Sequence, residues 1–291
     1  MFNKAYNIAS KFTLPLVVTM RFHDKTVDSG LGSFIVLNNE GWLLSVAHNF
    51  DAFIANSQYQ KEYPLYSKKV DSINSLKNIS HKKRRLLLKK IKPKQKWVTN
   101  FSILLSGNAV NITQYFLYHE HDLAIFKVDP AAVAGITVFP KIKDYNNISP
   151  GTSLCKLGFP FVPVNATFNE QTNSFALPPN LLPVPLFPIE GIYTRNILAG
   201  KTKDGTMDIL YLETSSPGLK GQSGGPIFDT DGNIYAIQSK NTTIQLGFKG
   251  VIEVNKKKVE ENQFINFGIG VHPKTIHDLL TKHNINFQVA P

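Results

Sequence analysis

One six-residue stretch, Gly221-Gln222-Ser223-Gly224-Gly225-Pro226, restricts the fold of this chain more than any other. It surrounds a serine with glycines and runs straight into the apolar Ile227-Phe228, which reads as a strand. Gly221 and Gly224 remove side-chain bulk on either side of Ser223, so the backbone can turn sharply and stand the hydroxyl clear. Nearby N–H groups then point into the same space. A serine nucleophile with an oxyanion hole has these requirements, because the amides stabilise charge that develops only in the transition state. Alone, the stretch also fits an ordinary turn.

A serine hydroxyl is a poor nucleophile near pH 7. It needs a base, usually a histidine held in one tautomer by a carboxylate. Of the eight histidines, His48 ends the alternating apolar segment Gly41-Trp42-Leu43-Leu44-Ser45-Val46-Ala47-His48. Asp122 opens Asp122-Leu123-Ala124-Ile125-Phe126-Lys127-Val128, a run apolar enough for a buried strand. A carboxylate at its mouth would be partly desolvated and in need of a donor. Asp129 and Asp144 are alternatives for that role, and His48 also fits a structural histidine. The order histidine, aspartate, serine is that of the chymotrypsin-type double barrel, not of subtilisin-type or α/β-hydrolase enzymes.

Ser45-Val46-Ala47-His48, Asp122-Leu123-Ala124-Ile125 and Gly221-Gln222-Ser223-Gly224-Gly225-Pro226 resemble the histidine, aspartate and serine motifs of trypsin-like serine peptidases. The similarity is greatest to the disulfide-free bacterial branch that includes the HtrA-type peptidase domain. Gly30-Leu31-Gly32-Ser33-Phe34-Ile35-Val36, Leu157-Gly158-Phe159-Pro160 and Phe267-Gly268-Ile269-Gly270 fit the same pattern in order. The resemblance implies an all-β fold of two six-stranded antiparallel β-barrels (chymotrypsin-like), with a C-terminal helix and a helical insertion in the first half. The expected division is residues 1–145, carrying His48 and Asp122, and residues 146–291, carrying Ser223. By resemblance His48 is the general base, Asp122 its orienter and Ser223 the nucleophile, with the N–H groups of Gly221 and Ser223 as oxyanion hole. No metal or cofactor is implied.

Pro217, Gly218, Ile237, Gln238, Ser239 and Gly268 would wall the pocket for the residue before the cut. Ser215-Ser216-Pro217-Gly218-Leu219-Lys220 contains no acid, so the expected pocket is neutral and largely apolar, favouring small or medium apolar residues. The expected function is a serine endopeptidase acting on protein or peptide substrates. The rivals are a catalytically latent binding module on this fold and a partner-activated effector protease. A metal site at His119 and His121, set on one face by strand alternation, lacks an evident third ligand.

With 291 residues, 42% hydrophobic and 18% charged, the chain is long and apolar enough to bury a full core. The single cysteine, Cys155, excludes an internal disulfide and favours a reducing compartment. It lies in an apolar run and reads as a small buried residue. Phe12–Val18 is short and interrupted by Pro15, and reads as a first strand rather than a signal peptide. No run reaches the roughly 18–20 apolar residues of a membrane span, and a cytoplasmic location is expected. Beyond the helix-like Pro273–Leu280 no appended peptide-binding module is expected.

Two insertions depart from a minimal pattern. The first, about 52–100, holds a basic segment, 81–96, with nine of the 32 Lys and Arg side chains in a chain of net charge +11. Residues 68–91 lack proline and space their early apolar positions by three and four, as a helix or helical hairpin would. The segment reads as a solvated face, or as a site for an acidic partner or anionic membrane. Without interleaved aromatics it is a poor nucleic-acid binder. The second insertion, about 161–189, carries Pro178-Pro179-Asn180-Leu181-Leu182-Pro183-Val184-Pro185-Leu186-Phe187-Pro188, which is incompatible with a helix or a central strand. It reads as an extended loop that forms a lid or docking edge, or that packs its apolar groups on the body.

Overall fold

Phe34 and Ile35, Leu43 and Leu44, and Ile125 and Phe126 are all buried, yet neighbours in each pair point to opposite faces of one sheet. The computed structural model describes residues 1–291 except 92, 94, 95, 255 and 256. After a short helix α1 (Asn3–Ala9), the first sheet is formed by β1 (Thr13–Phe22), β2 (Val27–Val36), β3 (Trp42–Ser45), β4 (Val98–Leu105), β5 (Asn108–Ala109), β6 (Ile112–Tyr118) and β7 (Leu123–Val128). Its order is β5-β4-β1-β2-β3-β7-β6, so six principal strands carry a short β5 on one edge. Phe34, Leu43 and Phe126 pack inside this curled sheet with Leu16 and Phe50, the Phe50 and Phe126 rings lying 5.1 Å apart. Ile35, Leu44 and Ile125 face the other way, into a core shared with Ile142, Phe228, Ile237 and Val271 of the second sheet and Leu279 of the C-terminal helix.

The second sheet contains β8 (Lys141–Lys143), β9 (Ser153–Gly158), β12 (Phe187–Lys201), β13 (Asp208–Thr214), β14 (Pro226–Phe228), β15 (Ile234–Val254), β16 (Lys257–Val271) and β17 (Gln288–Ala290). A separate two-stranded hairpin, β10 (Thr167–Asn169) and β11 (Ser174–Ala176), lies between β9 and β12. Strand β14 pairs with both β9 and β15, closing the ring β14-β9-β12-β13-β16-β15 into a six-stranded antiparallel barrel. The short β8 and β17 add parallel strands outside that ring. The expected two-barrel, all-β fold is therefore the observed one. Its C-terminal helix, α4 (Pro273–Lys282 in chain order, after two helices of the insertion), seats Ile276, Leu279 and Leu280 in the shared core.

The first insertion is a helical hairpin, α2 (Asp51–Asn74) and α3 (His81–Lys90). It begins earlier than the proline-free stretch suggested, because α2 runs through Pro64. Docking onto β4 holds it: Phe53 packs on Phe101, Asn56 Nδ2 donates to the Val98 and Thr99 carbonyls, and Trp97 meets Tyr59, Tyr63 and Tyr66. No residue of α3 is buried. The basic segment extends past α3, and its residues 92, 94 and 95 lie outside the described residues.

The second insertion packs on the first barrel, with Val164 and Leu181 buried against Val17. Its last residues correct one expectation: Phe187 and Pro188 open β12 and pair with Gly158 and Leu157 of β9. Strand β13 joins β12 only from Tyr193 onward, so the proline sits on a one-sided stretch that tolerates a missing N–H. Beyond the barrel, β15 and β16 continue as a long two-stranded arm with exposed Phe248, Val251 and Phe264, a feature the sequence reading did not anticipate. Among the described residues no helix is long and apolar enough to cross a membrane.

Phe126 is fully buried and meets two other rings, so Phe126→Ala should cost about 3–5 kcal/mol. Urea unfolding of the variant beside the parent checks this.

Candidate active site

Strand β3 ends at Ser45, and a tight turn, Ala47–Phe50, places His48 beyond the sheet edge before α2 begins. Across the sheet, the β6–β7 turn places Asp122 in the left-handed region (φ 54°), a conformation Asp tolerates better than most residues. The two meet. His48 Nδ1 lies 2.9 and 3.1 Å from the two carboxylate oxygens of Asp122, and the His48 backbone N–H donates to Oδ1 at 3.0 Å. A carboxylate can only accept, so Nδ1 carries the hydrogen and Nε2 keeps a free lone pair. Burial lowers the basicity of His48, but the hydrogen bond and charge of Asp122, with Asp51 adding, outweigh it and raise the pKa above 6.5. Burial likewise pushes Asp122 up, and bonds from His48 and Ser239 hold it below its ordinary value.

The alternatives to Asp122 are engaged elsewhere: Asp129 and Asp144 accept from the N–H groups of Ala131 and Asn146. His119 and His121 lie in the turn between β6 and β7, not in a strand, so strand alternation does not align them. Among the described residues no group of three His, Cys, Asp or Glu side chains could hold a metal ion. Cys155 is buried, and burial pushes its thiol up to about 11, far from a thiolate at neutral pH.

Ser223 lies in the loop before β14, and the first barrel grips that loop. Ser33 N–H and Asn49 Nδ2 both donate to the Ser223 carbonyl, at 2.7 and 3.1 Å. Ser33 Oγ and Phe159 N–H donate to the Gly221 carbonyl, at 2.8 and 3.1 Å. Gln222 is fully buried and braces the preceding turn, accepting from Leu219 N–H and donating to the Phe187 carbonyl. With both carbonyls occupied, the N–H groups of Gly221 and Ser223 have no acceptor among the described residues. Gly221 (φ 103°) and Gly224 (φ 88°) adopt left-handed backbone, and a Cβ on Gly224 would collide with the Ser33 carbonyl. The sequence reading found the serine and its glycines but missed Ser33 and Asn49. The only signal for Asn49 was its place beside His48.

Ser239, expected as pocket wall, also does something else. Its Oγ donates to Asp122 Oδ2 at 2.6 Å, and its carbonyl accepts from Ser223 Oγ at 3.5 Å. It thus joins the serine to the histidine–aspartate pair. No hydrogen bond connects Ser223 Oγ to His48 in this structure.

Gly218 and Gln238, on one side of Pro217, also come together, and Gly268 meets Ser216 on its other side, but their surroundings are more polar than expected. Gly218 N–H donates to Asn241 Oδ1, and a Cβ on Gly218 would strike the buried amide of Gln238. Lys156 of β9 reaches the same region, where its Nζ donates to the carbonyl and, at 3.1 Å, to the Oγ of Ser216. A lysine inside an apolar strand offers no sequence signal of its direction. Ile237 lies within the barrel core rather than on a free wall. On the other side of the serine loop, residues 161–165 of the second insertion wall a groove of about 500 Å³ with Ser29, Leu31 and Gly221. That groove shares Ser29, Gly30, Leu31 and Lys220 with a smaller recess of about 180 Å³ beside His48 and Asn49.

Two β-barrels with a serine loop clamped between them, and an imidazole held by a carboxylate beside it, define the class of two-barrel serine hydrolases. The trypsin-like peptidase domain model matches residues 32–237, and the chain belongs to that family. Its fold is also similar to solved HtrA-type proteases. AlgW with a tripeptide is 16% identical and has a TM-score of 0.49, with 98% of this chain and 65% of that chain covered. A variant of AlgW with a decapeptide is 14% identical over 99% of this chain and 68% of that one, with a TM-score of 0.50. The Rv3671c protease from M. tuberculosis, in its active form, is 10% identical over 99% of this chain and 87% of that one, with a TM-score of 0.50. The chain spans 63–65% of the length of the AlgW chains with tripeptide. No curated protein matches it in sequence.

Gly224→Ala should disorder the serine loop, since it combines a left-handed backbone with a collision against Ser33. The expected loss is about 1–3 kcal/mol of stability, read from urea unfolding, with slower reaction of Ser223 toward a fluorophosphonate probe.

Proposed function

We propose that the chain hydrolyses peptide bonds through an acyl-enzyme on Ser223. The observation that carries the reading is the convergence on Ser239 of Ser223 Oγ, at its carbonyl, and of Asp122, at its hydroxyl, with His48 on the same carboxylate. His48 Nε2 would take the Ser223 proton during attack and return it to the leaving amine. Asp122 would hold the ring and stabilise its cationic form. The free N–H groups of Gly221 and Ser223 would receive the oxyanion. The groove from His48 past Gly221 to residues 161–165 suits an extended chain, and would make the second insertion a docking edge. The expectation of apolar preference before the cut is modified by the polar groups around Gly218 and Gly268.

A second reading, a latent or partner-activated enzyme, draws on one observation: Ser223 Oγ bonds to the Ser239 carbonyl instead of His48. Catalytic hydrogen bonds of free enzymes are often long and tighten with substrate bound. Rapid fluorophosphonate labelling of the isolated chain supports the first reading. Labelling only after addition of a cell extract supports the second.

Ser223→Ala should keep the fold and lower turnover of unfolded casein by roughly 10⁴–10⁶. Unchanged turnover in that variant removes Ser223 from the mechanism. The base must be neutral to accept a proton, and the pKa of His48 is raised above 6.5. kcat/KM should therefore rise with pH through a single ionisation whose midpoint lies above 6.5. In Asp122→Asn, which removes the charge that raises the pKa, any residual activity should show that midpoint moved down.

A further inference from the structure

Lys156 is 1% exposed, and its ammonium lies inside the second barrel, against Gly268 and Ser216. Among the described residues no carboxylate forms an ion pair with it. Glu213, the nearest acid in sequence to Ser216, is already bound by Arg195 and Thr194. An ammonium has three donors. Both acceptors found here, the carbonyl and the hydroxyl of Ser216, belong to one residue, which leaves one N–H unmatched. Burying an ammonium without an anion is costly, and desolvation lowers the pKa of Lys156 to about 7.

The position of this group is as telling as its lack of a partner. A Cβ on Gly268 would strike Lys156 Nζ, so the ammonium packs directly against the glycine, with the Ser216 carbonyl and Thr214 Oγ1 beside it. Thr214 Oγ1 donates to the Ser216 and Gly268 carbonyls, tying the two walls together beside Nζ. Across from Gly218, Gln238 is 2% exposed and donates its amide to the Lys240 and Ile269 carbonyls, while its Oε1 has no partner. Two buried polar groups with unused capacity therefore lie among the residues expected to receive the side chain before the cut: Lys156 has a spare donor, which a carboxylate can accept, whereas Gln238 Oε1 is a spare acceptor, which a carboxylate cannot use. A hydrophobic pocket needs neither.

We propose that Lys156 is a specificity-determining residue, and that the place where its Nζ meets Ser216 and Gly268, next to Gly218, receives an acidic side chain, Asp or Glu, at the residue before the cut. The proposal rests on the hydrolase reading above. A substrate carboxylate would supply the missing anion and accept the unmatched N–H, and a charge-assisted bond in a water-poor site discriminates strongly against a neutral isostere.

The test is a panel of fluorogenic peptides that differ only before the cut, with Glu, Asp, Gln, Leu, Ala or Arg, alongside fluorophosphonate labelling of Ser223. The expected result is a kcat/KM for Glu or Asp on the order of 10²-fold above Gln. In Lys156→Met the Glu-to-Gln ratio should fall to near one, whatever happens to the overall rate, and Lys156→Arg should restore part of it. A lysine that only braces Ser216 would move every peptide together. Rapid labelling with a preference for Leu or Ala, or an unchanged Glu-to-Gln ratio in a folded Lys156→Met, overturns the proposal and leaves the hydrolase reading standing. No labelling and no cleavage of any peptide overturns both.

Discussion

The grip of the first barrel on the serine loop is the constraint on which the site depends. Ser33 uses both its N–H and its hydroxyl on carbonyls of the loop, and Asn49 adds a third donor. Ser45 Oγ in turn donates to the Ser33 carbonyl and accepts from Asn49 Nδ2, so the clamp is itself braced. Each bond contributes about 1 kcal/mol to stability. Their larger effect is directional. They hold the loop while Gly225 N–H, at 2.8 Å, draws the Gln222 carbonyl to one side, and the planar peptide unit then turns the Ser223 N–H to the other. The direction of that amide thus follows from where one carbonyl is held.

The same coupling explains why His48 and Asp122 come from one barrel and Ser239 from the other. Asp122 is buried enough to be destabilised as an anion, and three donors offset that cost: His48 Nδ1–H, His48 N–H and Ser239 Oγ–H. Removing Ser239 Oγ would leave the carboxylate leaning on the histidine alone. The shared core beneath, where Ile35 and Ile125 meet Phe228 and Ile237, keeps these donors in register. Neither barrel alone holds the aspartate, the histidine and the serine in place.

Much of this was legible in the sequence because it depended on local patterns. Glycines at 221 and 224 are needed where φ is positive, and alternating apolar residues around Leu43 and Phe126 specify buried strands with a period of two. What was missed depended on direction or on distant pairing. Lys156 looks like one charge in an apolar strand, and only the barrel's curvature turns it toward Ser216 and Gly268. The run at 178–188 read as an extended loop, yet its last residues pair, and Pro188 is accepted where β12 has a neighbour on one side. The start of α2 was obscured by Pro64, because tertiary docking of Phe53, Asn56 and the Trp97 cluster outweighs the local cost of a proline.

The helical hairpin is also tied to the chemistry through chain continuity. Its first residue, Asp51, follows His48 by less than one helical turn and contributes to the charge that raises the basicity of the imidazole. The position of α2 against β4 and the electrostatics of His48 are therefore not independent variables. A helix fastened along one face by Phe53 and Asn56 holds Asp51 at a fixed distance from the ring. The exposed basic α3 at its far end contributes no buried contact to that arrangement. The hairpin thus divides into a half that fixes the surroundings of His48 and a half that leaves its charge in solvent.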